Sequence, residues 1–487
     1  MGLAFIPVYI KYLGIEAYGL IGIFAVLQAW LTLLDVGMTP TLGREMARFT
    51  GGATTAQELR DLLRSIEVLT FALVAVVALV ATISSHWIAT NWLNPENLSR
   101  EVVAQAFVVM GLAVALKFAE GIYRSSLVGL QRQVLFNAIN ATVVTVRAVG
   151  AVAVLIYISP TIQSFFLWQA AVSVAAVAVL ALATYQVIPR THMRARFSIS
   201  ALRQVWRFAA GMVGITFLAL LLTQVDKIML SKMLSLEQFG FYVLAAAVAS
   251  GLFALVSPIT QAFYPRFCEF VASNDVVGLS RSYHDAAQLV SVVAGSLAIV
   301  LIVYPEIFLG LWTQDSHVTA QVAPLLSLLM LGNLFNCMMW VPYQAQLAYG
   351  WTGLAIRINI VAVLIVIPAI LVTVPKFGAI AAAWVWVFLN VGYIAVGQLL
   401  MFRKILAREQ APWFLKDLLA PLMSSALAAF LLKLLWPSAT TNSEQLMLLA
   451  SAFICTIVAA VVASDKARKQ LAVFCYKDMF CSAETDK

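Results

Sequence analysis

The sequence predicts an all-α protein that crosses a membrane many times and is built from two similar halves. Three observations point there. Of its 487 residues, 62% are hydrophobic and only 11% are charged, with a mean hydropathy of +0.92; a soluble chain carries about 25% charged residues. Apolar runs recur from end to end, each near the ~20 residues a helix needs to span the hydrocarbon. Finally, the pattern K-x-L-x-[IL]-E-x-[YF]-G occurs twice. It is formed by Lys11, Leu13, Ile15, Glu16, Tyr18 and Gly19, and again, 221 residues on, by Lys232, Leu234, Leu236, Glu237, Phe239 and Gly240. In a chain this poor in charge, a matched Lys and a matched Glu weigh more than matched Leu and Gly.

Thirteen spanning runs follow one another, at 17–36, 66–93, 102–129, 135–158, 162–188, 206–231, 238–262, 284–311, 319–348, 354–374, 377–402, 414–436 and 445–463. Residues 1–10 form a fourteenth apolar stretch too short to span. About 25 helical residues precede Lys232 but only ten precede Lys11, so the first helix is expected to be truncated, the alternative being a true start with a half-length first helix, and 13–14 transmembrane helices result. An even number of helices separates the repeat copies, which makes them parallel, a known transporter arrangement. The expected divisions are an N-terminal six-helix lobe at 1–189, a basic linker at 190–207, a C-terminal six-helix lobe at 208–402, an appended helix pair at 403–463 and a tail at 464–487.

Lys and Arg in short loops set orientation. With the loop after the 17–36 helix in the cytoplasm, 23 of the 31 basic residues fall in cytoplasmic segments. Five are external (Lys11, Arg100, Lys232, Lys376, Lys433), and Lys117, Arg147 and Lys227 lie inside spans. The C-terminus is then cytoplasmic. The net charge of +8 is spread over loops rather than one face, so it does not signal nucleic acid. The five Cys (Cys268, Cys337, Cys455, Cys475, Cys481) show no paired spacing, and no disulfide framework, metal site or cofactor is implied. All four His (His86, His192, His284, His317) are read as lying in loops or at helix ends. No P-loop, HExxH or triad spacing occurs, and no external loop is large, the longest being 84–101 with Trp87 and Trp92. An enzyme is therefore not expected, and neither is ATP-driven transport by this chain alone.

Ionisable groups within spans are expensive to bury and are functional candidates by default. They are Asp35, Lys117, Glu120, Arg147, Asp226 and Lys227, with Arg357 at a helix start. Asp226 and Lys227 are adjacent, about 100° apart on a helix, and should not form a face-to-face pair. Asp226 could bind a proton or cation and Lys227 a phosphate; the plainer alternatives are an interhelical ion pair and snorkelling. Lys117 and Glu120 are spaced to pair with each other. Arg147 has no acid within a turn and carries the fork that suits bidentate phosphate contacts; its alternative is a salt bridge to Asp35 or Glu120. Asp35, before Gly37 and Pro40, reads as a helix-terminus residue, and Arg357 could be a surface anchor. The expected head-group set is Arg147, Lys117, Lys227 and Arg357; the expected ion-coupling set is Asp226, Glu120 and Asp35.

Amides and indoles recur within spans: Gln28 and Trp30, Asn137 and Asn140, Trp168 and Gln169, Asn333 and Asn336, Tyr343 to Gln346, and Trp384, Trp386 and Asn390. They suit sugar hydroxyls and ring faces, or else hydrogen bonds between helices. Pro258, Pro342 and Pro368 mark possible bends.

The stretch FIPVYIKYLGIEAYGLIGIFAVLQAWLTLLDVGMTPTLGREMARF (Phe5–Phe49) and TQVDKIMLSKMLSLEQFGFYVLA after it resemble the bacterial polysaccharide biosynthesis proteins. These are Wzx-type flippases, relatives of multidrug and toxin extrusion exporters and lipid II flippases. The resemblance extends to helix number, repeat and appended pair. It implies two V-shaped six-helix lobes, a cationic central cavity and alternating access in a bacterial inner membrane. The implied cargo is an undecaprenyl-diphosphate-linked oligosaccharide (O-antigen, capsule or exopolysaccharide), moved to the outer leaflet with H+ or Na+ coupling. Implied partners are membrane lipid and the polysaccharide polymerase and chain-length machinery, with no nucleic acid. The competing readings are a drug–cation antiporter of the same fold, which would favour unpaired acids, and a membrane glycosyl-transfer enzyme, which the short external loops oppose.

Overall fold

The computed structural model describes residues 2–31, 38–50, 55–189, 195–198, 217, 220–221, 223–351, 353–436, 441–464 and 468. Sixteen helices fill these residues, and no strand occurs among them. In order they are α1 Gly2–Leu13, α2 Ile15–Leu31, α3 Met38–Thr50, α4 Ala56–Trp92, α5 Arg100–Gly129, α6 Gln133–Tyr157, α7 Ile162–Val187 and α8 at 223–233. They continue with α9 Leu236–Ala272, α10 Val276–Val303, α11 Pro305–Thr313, α12 Ser316–Ala348, α13 Gly353–Phe377, α14 Ala379–Phe402, α15 Gln410–Leu435 and α16 Asn442–Ala463. Eleven of them are long and apolar enough to cross a membrane. Two compact units divide the chain, Met1–Val243 and Leu244–Lys487, and α9 runs through the division.

Helix ends extend beyond the apolar runs because polar caps hold the extra turns. Thr55 and Glu58 form a reciprocal capping box at the start of α4, and Thr441 and Glu444 form another at α16. Asp275 accepts the Gly278 N–H at 2.8 Å and starts α10 well before position 284. The run 284–311 is not one helix: α10 ends at Val303, and Pro305 opens α11. Residues 38–50, read as a cytoplasmic loop, are helical; Leu42 and Met46 bury against Leu59, Leu63 and Ile66 of α4. Most of the 206–231 run lies outside the described residues.

In the first unit, α5 is the central helix. Its Ala115, Ala119, Tyr123 and Leu127 pack with Val74, Phe136, Val177 and Leu180 of α4, α6 and α7. By contrast α6 is mostly peripheral, with only 17% of its apolar window buried. In the second unit α10 is central, with 72% buried, and α13 and α16 show the lipid-ready pattern at 22% each. Tyr304, at the end of α10, donates to the Ala429 carbonyl at 2.7 Å and ties α15 to this core.

The two pattern copies meet. A Cβ on Gly19 would stand 2.6 Å from the Leu236 carbonyl oxygen, and a Cβ on Gly240 would strike the Ile15 carbonyl oxygen. One turn on, Gly22 faces Val243. Position 15 corresponds to 236, 19 to 240 and 22 to 243, so the contact is reciprocal, as across a local twofold axis. Each motif Gly is there because the backbone of the other copy occupies the space of its side chain.

Candidate functional site

Ionisable side chains gather at two places in the first unit. The first is built on α5 and α6. Arg147 sits on α6 with its guanidinium donating from Nη2 to Glu120 Oε1 at 2.8 Å and from Nη1 to Ser173 Oγ at 3.2 Å. Both partners of the ion pair are largely enclosed, at 13% and 17% side-chain exposure. Trp168 on α7 donates its indole N–H to the Arg147 carbonyl at 3.3 Å, and its ring fills the space over Gly150. The arginine is thus fixed from three sides, and its acid partner comes from another helix. Lys117, one turn before Glu120, does not pair with it; its ammonium donates to Gln28 Oε1 of α2 at 2.9 Å. Lys117 is exposed, lies within Coulombic range of Arg147 and Glu120, and has no carboxylate within 4 Å among the described residues. The cluster carries two cations and one anion, a net charge of +1.

The second place joins α8 to the start of α9. Tyr242 donates its hydroxyl to Asp226 Oδ2 at 2.8 Å, while Asp226 Oδ1 is buried without a hydrogen bond. The Lys227 ammonium donates to the Thr223 carbonyl at 2.9 Å. It also lies 3.9 Å from Asp226 Oδ1, longer than a hydrogen bond. The helical angle therefore does not keep these neighbours apart, because the four-carbon lysine stem folds back along the helix. Lys227 borders a cavity of about 320 Å³ lined otherwise by Ser231 and by aliphatic and aromatic side chains.

The remaining candidates are elsewhere. Arg357 is exposed on α13 in the second unit, with no salt bridge among the described residues. Asp35 lies outside the described residues. Five amides and indoles of α12 and α14 bond one another: Trp386 donates to Asn333 at 2.8 Å, Asn336 to Asn390 at 2.8 Å, and Trp340 to Asn336 at 3.1 Å. They hold helices together here, as buried amides in membranes commonly do.

Three buried polar groups escape the hydropathy reading. Glu67, 2% exposed on α4, accepts the hydroxyls of Tyr123 at 2.9 Å and Tyr185 at 2.8 Å, with Arg64 at 3.3 Å. Glu16 of the first motif copy is buried and accepts backbone N–H groups of Glu96, Asn97 and Leu98 at 2.6, 2.9 and 3.2 Å. His284 is not at a loop or helix end but inside α10 and buried, with Nδ1 against Asp417 Oδ2 and Nε2 3.0 Å from Glu409 Oε2. Gln288 extends this network by donating to Asp417 Oδ1 at 2.8 Å and accepting from Ser464 at 2.7 Å. The network fastens α15 and the end of α16 to α10. No group of three or more metal-ligating side chains occurs among the described residues.

Comparison with known proteins converges on one class. A family model described as polysaccharide biosynthesis protein matches residues 1–271. A Shigella flexneri protein provisionally described as an O-antigen transporter is 20% identical over 377 residues, covering 77% of this chain and 87% of its own length. Among solved structures, the lipid II flippase MurJ in an inward closed conformation superposes with a TM-score of 0.70 at 13% identity, over 94% of this chain and 96% of that one. An inward-facing multidrug resistance transporter of the MATE family gives 0.61 at 14% identity, over 83% and 94%. At these identities the structural likeness speaks for the fold: an all-α, multi-pass membrane protein of the MurJ and MATE type.

Proposed function

The chain belongs to the polysaccharide biosynthesis protein family, and from that premise we propose that it is a flippase for a lipid-linked oligosaccharide rather than an enzyme. The cargo is an undecaprenyl-diphosphate-linked repeat unit, moved from the cytoplasmic to the external leaflet of a bacterial inner membrane by alternating access. The lobes are taken as 1–189 and 208–402, with 403–463 appended and the C-terminus in the cytoplasm. The observation that carries the reading is the net positive cluster of Lys117, Glu120 and Arg147 on spanning helices. A diphosphate crossing hydrocarbon without such a counter-charge meets a barrier of many kcal/mol.

In this reading Lys117 makes the first contact, because it has a neutral partner and can exchange Gln28 for a phosphate oxygen. Arg147 is held in reserve by Glu120: protonating or turning Glu120 releases the guanidinium fork toward the anion. Asp226, with one buried oxygen that takes no hydrogen bond and only the 3.9 Å approach of Lys227, is the natural seat for a coupling H+ or Na+. Arg357 adds a cation in the second lobe, and Asp35 completes the acids. The polymerase and chain-length machinery are the expected receivers of the product. The α12–α14 amides favour a structural role over sugar recognition in this conformation.

The test is a leaflet assay in proteoliposomes with purified protein and a fluorescent lipid-linked oligosaccharide. The reading predicts protein-dependent movement between leaflets that an imposed ion gradient accelerates. Export of a cationic dye without movement of the oligosaccharide would replace it with a drug antiporter.

A further inference from the structure

None of Lys117, Glu120 and Arg147 lines the cavity beside Lys227, and its lining is specific. Ile23, Val26 and Leu27 of α2, Phe107 of α5 and Phe239 of α9 supply its apolar walls. Trp30, Trp87 and Trp92 add three indoles, and Lys227 is the one charged group on the wall among the described residues. Its volume of about 320 Å³ sits at the lower end of small-molecule sites.

The α4 backbone is shaped to make it. From Ile88 to Trp92 the helix widens to a π turn, with the Leu93 N–H bonding the Ile88 carbonyl at 2.9 Å. Trp87 and Trp92 are five residues apart, which an α-helix would place on different faces. A turn closed from i to i+5 stacks them on one face, their ring centroids 6.5 Å apart. Trp92 is then pinned: its indole N–H donates to Ser231 Oγ at 3.1 Å, and the Lys232 ammonium lies 5.0 Å above its ring. A widened turn loses regular helix geometry, and here the return is an aromatic wall held in place before any ligand arrives.

This lining excludes two ligand classes. A bare sugar would lose its hydroxyl hydrogen bonds against these walls, and a cation would meet Lys227. What fits is one apolar chain ending in an anion. The ammonium has three donors and spends one on Thr223, so two remain for acidic oxygens. A zwitterionic phospholipid brings two chains and its own cation, and suits neither the volume nor the charge.

We propose that this cavity binds the carrier lipid of the cargo at its prenyl–diphosphate junction, with the first isoprene units among Trp30, Trp87 and Trp92 and a phosphate oxygen on Lys227. The inference rests on the flippase reading and gives it a second anion station. That station lies toward the external end of α8 and reaches along α2 to Trp30, two residues past the Gln28 that holds Lys117, so a substrate received at Lys117 passes to it before release.

The experiment uses the full chain in nanodiscs and, as probe, farnesyl diphosphate bearing a diazirine on its chain. After photolysis, adducts are expected within residues 23–30, 87–93 or 227–239. Unlabelled farnesyl diphosphate should suppress them, while inorganic diphosphate, farnesol and dioleoyl phosphatidic acid at equal concentration should not. Lys227→Gln should weaken probe binding about tenfold, the scale of one charge-assisted contact. Leu27→Trp, which fills the cavity, should abolish labelling at unchanged melting temperature; the adduct map stands without it should that variant not fold. Adducts only elsewhere, equal suppression by phosphatidic acid, or indifference to Lys227→Gln overturns the inference. Oligosaccharide movement by a wild-type protein that takes no label sinks the cavity assignment alone. Labelling at the cavity without oligosaccharide movement sinks the flippase reading and leaves the binding site standing.

Discussion

The two copies of K-x-L-x-[IL]-E-x-[YF]-G share a pattern and divide its uses. In the first copy the chain turns at Gly14, whose φ of +81° is left-handed and natural only to Gly. Glu16 is buried there and gathers three backbone N–H groups of the 96–98 loop. In the second copy Ser235 replaces the Gly and caps α9 through its hydroxyl, which accepts from the Gln238 N–H at 3.3 Å. Glu237 is only half-buried and makes no side-chain hydrogen bond among the described residues. Upstream, Phe5 and Ile6 of the first half stand where Asp226 and Lys227 stand in the second. What both copies kept is the crossing, Gly19 on Leu236 and Gly240 on Ile15. A repeated motif therefore marks the shared contact, and the residues around it differ: a buried carboxylate that gathers backbone N–H groups in the first copy, an Asp–Lys neighbour pair upstream of the second.

Substitutions can break this contrast. The largest effect should follow Gly240→Leu or Gly19→Leu, because the obstructing atom is a backbone oxygen of the other copy and cannot swing aside. A loss of about 3 kcal/mol or more is expected from each, at the upper end of overpacking, read as thermal unfolding in detergent. Equal melting of wild type and both variants would show that the crossing is not tight. Next, Glu16→Ala should cost about 3 kcal/mol through three abandoned N–H groups, whereas Glu237→Ala should change stability by about 0.5 kcal/mol or less. Similar losses at the two positions would erase the division of labour. Asp226→Asn should reduce gradient-driven transport about tenfold while leaving gradient-free exchange intact, and Phe5→Asn at the matching position should leave the gradient response unchanged. A response lost in both variants, or in neither, would separate coupling from Asp226. Tyr242→Phe removes one hydrogen bond to Asp226 and should lower stability by about 1 kcal/mol.

Much of this was legible in the residues. The motif pointed to the repeat because Lys and Glu are rare in this chain, and the crossing explains why Gly persists at 19 and 240. The spanning runs at 102–129, 135–158 and 162–188 match α5, α6 and α7 closely, since hydropathy and helix boundaries coincide there. Of the two candidate partners of Arg147, Glu120 meets it and Asp35 lies outside the described residues. Glu67 and His284 were hidden for a common reason. Each sits at the first residues of an apolar run, 66–93 or 284–311, in a helix that Thr55 or Asp275 begins several turns earlier, and there the polar side chain turns inward to buried partners. Periodicity says where lipid or core can be, but not which polar residues at a helix end find a buried partner. The positions of Asp417 and Glu409 against His284 depend on α15 packing beside α10, a pairing no local pattern encodes.

The central claim is that Lys117, with a neutral partner beside a closed Arg147–Glu120 pair, is the first cation to meet the diphosphate. It is tested most directly by leaflet movement of a lipid-linked oligosaccharide in proteoliposomes carrying wild type, Lys117→Arg or Lys117→Gln at matched protein levels. Lys117→Arg should retain most of the wild-type rate and Lys117→Gln should lose at least about tenfold, the loss of one charge-assisted contact. Wild-type movement in Lys117→Gln would contradict the account.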